Sequence, residues 1–159
     1  MITHNDILCI STQDWNGLWT RKQRFMLKLS RQGNRVLYVE SQASLISLGL
    51  IKNDWGRILR WLRGPRKVND NLWIVTLPLV LPFFQIYPLV NRLNNLGITW
   101  LLRGWLKRLG FKHPLLWTYT PYSDDFAGRM GERAVIYECV DEFAGSKGLI
   151  KPEVVKALE

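Results

Sequence analysis

The chain reads as an α/β domain built on a doubly wound, mainly parallel sheet of at least five strands with helices on both faces, and three observations lead there. Short apolar runs rich in β-branched and aromatic residues recur along its 159 residues. They are continuous rather than alternating with polar residues, the pattern of strands covered on both faces. The first two are joined by a helical stretch within about 35 residues, the span of a βαβ unit with parallel strands.

Asp6-Ile7-Leu8-Cys9-Ile10-Ser11 is the first such run and ends in small polar residues, as a buried strand entering a loop does. After a loop from Thr12 to Leu18, Phe25, Leu27 and Leu29 with Arg24, Lys28 and Arg31 between them predict a helix that stops near Gly33. Arg35-Val36-Leu37-Tyr38-Val39-Glu40 is the second strand, Leu72 to Leu77 the third, Leu115 to Tyr119 the fourth and Ala134 to Glu138 the fifth. Short helices are expected near Ser123 to Met130 and from Pro152 onward, where proline suits a first helical turn. The two remaining connections look like insertions. In one, Trp55, Ile58, Leu59 and Leu62 fall at i, i+3, i+4 and i+7 amid Lys52, Arg57, Arg60, Arg63, Arg66 and Lys67, a basic amphipathic helix. The other repeats the spacing from Ile98 through Leu101, Leu102, Trp105 and Leu109, with Arg103, Lys107 and Arg108 on its other faces.

A hydrophobic content of 47% is enough for one domain with a sizeable core, so residues 1–159 are read as a single domain. Twenty-two Lys and Arg against 13 Asp and Glu leave a formal charge of +9, which favours an anionic partner. No recognised nucleic-acid motif accompanies the charge, so nucleic acid is not the expected partner. Residues 71–91 carry no charge and are long enough to cross a bilayer, but Pro78, Pro82 and Pro88 would break the helical ladder.

Cys9 and Cys139 sit in separate apolar runs and form no close pair for zinc or redox chemistry. The opening Met-Ile-Thr-His-Asn-Asp lacks a basic and apolar leader. Both point to the cytoplasm, including the inner face of the plasma membrane. Leu158-Glu159 ends the chain inside a helix-like pattern, as an artificial boundary within a longer protein would, and the final Leu-Glu also fits a cloning scar. His4 and His113 have no companions at metal-ligand spacing, so no metal site is expected. Gly-x-Gly-x-x-Gly, the P-loop, Gly-x-Ser-x-Gly and Cys/His nucleophile patterns are all missing, which argues against dinucleotide, P-loop and hydrolase sites.

In an open parallel sheet, ligands bind beyond the carboxyl ends of the strands. The segment after the first strand therefore carries the first candidates: Trp15 and Trp19 to stack on a sugar or lipid, Asn16, Gly17 for close backbone approach or positive φ, Thr20 as helix cap, and Arg21. The competing reading makes it an ordinary loop whose tryptophans fill the core. Hydroxyls at Thr118, Tyr119 and Thr120 end the fourth strand, although Pro121 equally suits a plain terminator. Asp141 and Glu142 follow the fifth strand, where a carboxylate can orient an acceptor hydroxyl or act as general base, or simply cap a helix.

Taken in order, Trp19-Thr20-Arg21-Lys22-Gln23-Arg24, Arg35-Val36-Leu37-Tyr38-Val39-Glu40, Leu116-Trp117-Thr118-Tyr119-Thr120-Pro121 and Val135 through Phe143 resemble the N-terminal domain of GT-B glycosyltransferases. The similarity is to family-4-like bacterial enzymes of cell-surface polysaccharide synthesis, including the teichuronic-acid type. It covers nearly the whole chain, but Glu138 stands where those relatives usually have Asp. The resemblance implies a Rossmann-like, acceptor-side half of a two-domain enzyme, its donor-binding domain absent from this chain and the half inactive alone. It further implies no cofactor in this domain, a nucleotide sugar donor for the full-length protein, and a glycan or lipid-linked acceptor. Trp15, Asn16, Gly17, Trp19, Arg21 and Thr120 would then line the acceptor side, with Asp141 and Glu142 as catalytic carboxylates. The alternative is a non-catalytic peripheral membrane domain, with Trp55, Trp61 and Trp105 at the interface and Arg57, Arg60 and Arg63 on anionic lipid.

Overall fold

The computed structural model describes residues 2–43, 55–83, 86–119 and 126–139. The expected helix from Pro152, and the candidates Thr120, Asp141 and Glu142, lie outside the described residues.

Six strands form one sheet: β1 (Asp6–Ile10), β2 (Arg35–Val39), β3 (Arg66–Asn69), β4 (Leu72–Val75), β5 (Leu115–Thr118) and β6 (Ala134–Tyr137). Their order is β3-β4-β2-β1-β5-β6. All neighbours run parallel except β3 and β4, so the fold is α/β with a mostly parallel sheet, compatible with a Rossmann-like architecture. β1 sits at the centre, with Ile7 opposite Val36 on one side and Leu115 on the other.

Alternation along the central strands explains why their sequences are continuously apolar. Leu8, Ile10, Leu37 and Val39 point to one face, where they pack with Ile98, Leu102, Trp105 and Leu106 of α3 (Pro88–Arg108). Ile7, Cys9, Val36 and Tyr38 point to the other, against Met26 and Leu29 of α1 (Arg21–Arg31). Each side chain thus leaves water, at about 25 cal/mol per Å² of apolar area removed.

Local chemistry fixes the ends of α1. The Thr20 N–H donates to Gln23 Oε1 at 3.0 Å, one half of a capping box at the helix start. At the other end Gly33 adopts φ +86°, its N–H donates to the Ser30 carbonyl, and the Asn34 N–H donates to the Leu29 carbonyl. This pair of bonds is a Schellman motif, and the left-handed φ is why glycine stands there.

Four expectations need correction. Arg66 and Lys67 are not helical: they open β3, an antiparallel edge strand with a register shift between Lys67 and Asn69. The second inserted helix begins at Pro88, ten residues before the predicted start, with proline in its first turn. Of the short helix expected near 123–130, the described residues 126–130 form turns. β6 is largely exposed despite its apolar run, because it is the last strand of the sheet.

The other inserted helix, α2 (Trp55–Arg63), forms as expected. It buries Arg57 and exposes Trp55, Leu59 and Leu62. An acidic pocket under the helix outbids the apolar stripe, as described next.

Candidate functional site

The sheet order reverses between β1 and β5: from β1 the chain moves to β2 and β4 on one side, then crosses to β5 and β6 on the other. A crevice opens beyond the carboxyl ends of strands at such a point. The residues that leave the strands there, and the first turn of α1, form two polar clusters, one on each side of the β1 loop.

Beyond β5 and β6, Glu138 is the first residue after β6, and its N–H donates to the Thr118 carbonyl at 2.9 Å. Its carboxylate accepts from Trp117 Nε1 at 3.0 Å and pairs with exposed Arg21. Lys22, buried one residue further along α1, donates from Nζ to Thr12 Oγ1 at 2.5 Å and lies 5.0 Å from the Tyr119 ring centroid. Burial, reinforced by Cys9 and the Glu138 carboxylate, pushes the Tyr119 phenol well above its ordinary value and keeps it a neutral hydroxyl. A cation, a carboxylate and neutral hydroxyls on one edge can orient a hydroxylated ligand through both donors and acceptors.

Beyond β2 and β4, the key residue is Glu40, the first after β2 and only 1% exposed. Its carboxylate accepts from the Trp15 N–H at 3.0 Å and from Thr76 Oγ1, just past β4, at 2.6 Å. Arg66 Nη2 lies 3.6 Å and Arg60 Nε 4.0 Å from the same carboxylate. Asp14 accepts from Arg57 Nη1 at 3.1 Å and from Ser41 Oγ at 2.6 Å, and Arg57 Nη2 also donates to the Ser41 carbonyl. A buried guanidinium needs such a carboxylate, and this pairing turns Arg57 inward.

The predicted loop residues divide between these roles. Trp15 is buried in the core, edge-on to Trp19 at 5.2 Å and to Tyr38 at 5.0 Å, so its ring is not a stacking platform for a ligand. Its backbone N–H, not its ring, serves the site. Asn16 Oδ1 accepts from Arg66 Nη2 at 3.1 Å. Gly17 does not adopt positive φ, and a Cβ there would meet only the Asp14 carbonyl oxygen, at 3.6 Å. Trp19 and Arg21 share a shallow groove of about 390 Å³ with Arg24, Phe25 and Lys28.

Of the residues expected at a membrane, Trp55 and Arg63 are exposed, Arg60 and Trp61 are half-buried, and Arg57 and Trp105 are buried. Arg57 and Trp105 therefore cannot serve there: the first is held by Asp14, the second packs under α3. A groove of about 1130 Å³ runs along α3 past Trp100, Arg103 and Lys107 to Gly128 and Gly131 and touches neither polar cluster. Sequence reasoning did not single out Lys22, Glu40, Thr76 or the pairing role of Glu138; their positions just after strands, or in the first turn of α1, are the signal that marks them.

Among the described residues no helix is long and apolar enough to cross a membrane, and no group of three or more His, Cys, Asp or Glu side chains is placed to hold a metal ion. Compared with protein-family models, curated proteins and solved structures, the chain matches none.

Proposed function

We propose that this chain is the acceptor-side half of a GT-B glycosyltransferase, family-4-like, that moves a sugar from a nucleotide sugar to a glycan or lipid-linked acceptor in cell-surface polysaccharide synthesis. The observation that carries the reading is the polar edge at the β1/β5 reversal. There Lys22, Thr12, Tyr119 and Glu138 come together from four separate segments. Sugars are recognised by such mixed donor and acceptor sets, with an aromatic face nearby.

In this reading Glu138 is a positioning residue, since Trp117 and Arg21 already occupy its carboxylate. The base that takes the proton from the acceptor hydroxyl is then Asp141 or Glu142, the carboxylates that follow it in sequence. The donor sugar would be held by a second domain, and this chain alone would not turn over. The test is transfer by the complete gene product from a panel of radiolabelled nucleotide sugars into extractable lipid or glycan. Transfer that falls at least tenfold in Asp141→Asn or Glu142→Gln supports the assignment. A complete reading frame without a second α/β domain, or no transfer from any donor, refutes it.

A second reading, peripheral attachment to an anionic membrane, is favoured by exposed apolar stripes. Trp55, Leu59 and Leu62 line the outer face of α2; Leu89, Leu93, Leu96 and Trp100 line that of α3, where Trp100 is 79% exposed. Exposed Arg63, Arg92, Arg103 and Lys107 accompany them, each worth about 1 kcal/mol near an anionic surface. Both readings hold together if the acceptor is lipid-linked. Co-sedimentation with phosphatidylglycerol vesicles, lost in Leu93→Glu/Trp100→Glu, is the expected outcome; no binding at low salt removes this reading and leaves the first standing.

A further inference from the structure

We infer that Arg57, Arg60 and Arg66 form a binding site for a phosphoryl group at the carboxyl edge of β2 and β4. The inference goes beyond glycosyl transfer and stands or falls without it.

Three guanidinium groups meet two carboxylates here, Asp14 and Glu40, so among the described residues one positive charge is left uncompensated within the cluster. Both carboxylates already take neutral donors as well: Glu40 from the Trp15 N–H and the Thr76 hydroxyl, Asp14 from the Ser41 hydroxyl. The arginines are less well served. The Nε atoms of all three are shut away from solvent without a hydrogen-bond partner. An unpaired buried donor is costly, more so on a charged group, and three on neighbouring side chains are not accounted for by packing alone.

Arg60 is the sharpest case. It forms no hydrogen bond to any described residue, only ion pairs of 3.9 Å to Asp14 and 4.0 Å to Glu40. Turning toward a ligand therefore breaks no hydrogen bond, only these two long ion pairs. Arg57 is fixed beneath it by Asp14, and Arg66 is tethered beside it by Asn16. The side chains of Arg60 and Arg66 keep 36% and 40% exposure, so an anion can reach their guanidinium groups from solvent.

A phosphoryl group suits this arrangement better than a planar carboxylate, because its tetrahedral oxygens can accept from guanidinium groups arriving from more than one direction. A singly charged phosphodiester would bring the cluster to neutrality; a phosphomonoester would use the same donors. The shared chemistry has two sources, a soluble phosphoester or a lipid headgroup.

Titration calorimetry with inorganic phosphate at low, matched ionic strength tests the site. The native chain is expected to bind, and Arg60→Gln to weaken binding by about tenfold or more, the loss of charge-assisted bonds. Lys28→Gln, an exposed cation on α1, is expected to change nothing, and far-UV dichroism checks that each variant is folded. Competition between phosphate and phosphatidylglycerol vesicles assigns the site to a lipid headgroup; phosphate binding without competition assigns it to a soluble phosphoester. No phosphate binding by the native chain, or equal binding by Arg60→Gln, overturns the inference.

Discussion

Replacing Glu40 should reveal how much the carboxyl edge of the sheet depends on one buried charge. Glu40→Ala leaves the Trp15 N–H and the Thr76 hydroxyl without their acceptor and strips Arg66 and Arg60 of a common counter-charge. Breaking a buried ion pair from one side costs about 3–5 kcal/mol. Most of that here belongs to the two short hydrogen bonds, because Arg66 and Arg60 are more than a third exposed and their pairing with Glu40 is worth about 1 kcal/mol or less. For a chain of this size each kcal/mol moves the thermal midpoint by about 2–4 °C, so a fall of about 6–20 °C is expected by circular dichroism. Glu40→Gln keeps an acceptor for the Trp15 N–H, and the Thr76 hydroxyl can turn to accept from the new amide. Its loss should be less than half as large. A midpoint within about 2 °C of native for Glu40→Ala, or an equal fall in both variants, would refute this account of the site.

Two glycine replacements should act with opposite sign. Gly33→Ala puts a side chain at φ +86° with its Cβ 3.3 Å from the His4 ring and should cost about 1 kcal/mol; Gly97→Ala, in α3 with nothing within 4 Å, should add about 0.5–1 kcal/mol, both read by urea denaturation. Burial pushes the Cys9 thiol well above its ordinary value, whereas Cys139 is exposed, so one thiol should react with Ellman's reagent in the native chain and the second only after unfolding; immediate reaction of both would place Cys9 wrongly. Tyr38, which donates to Ser11 Oγ at 2.6 Å, is raised chiefly by burial, as is Tyr119. Their neutral forms are favoured by folding, so this stability is complete below the ordinary tyrosine value of about 10 and is lost as pH rises through it. The thermal midpoint should fall steeply above about pH 9–10 and less steeply in Tyr38→Phe; identical slopes would exclude Tyr38 as a contributor.

The parallel strands were legible because a strand covered on both faces must be apolar at every position, and Ile7-Leu8-Cys9-Ile10 and Val36-Leu37-Tyr38-Val39 satisfy that demand. β3 was hidden for the converse reason: at the sheet edge Arg66, Lys67 and Asn69 need only backbone pairing, and their charge was read as part of the preceding helix. Periodicity found α2 but left open which face turns inward. Apolar spacing alone does not decide whether Trp55, Leu59 and Leu62 face the sheet; Asp14 binds Arg57 and takes the opposite face inward. That carboxylate lies 43 residues away in the chain, so no local pattern contains it. The same holds for Arg21 and Glu138, which are 117 residues apart. What sequence does carry is the rule that the first polar residues past parallel strands face the ligand edge. Applied strictly, it selects Ser11 after β1, Glu40 after β2, Thr76 after β4 and Glu138 after β6, and three of these carry the contacts that define the two clusters. Position relative to the strand ends therefore located the polar edge, while the tryptophans, chosen for their chemistry, divided between core and surface.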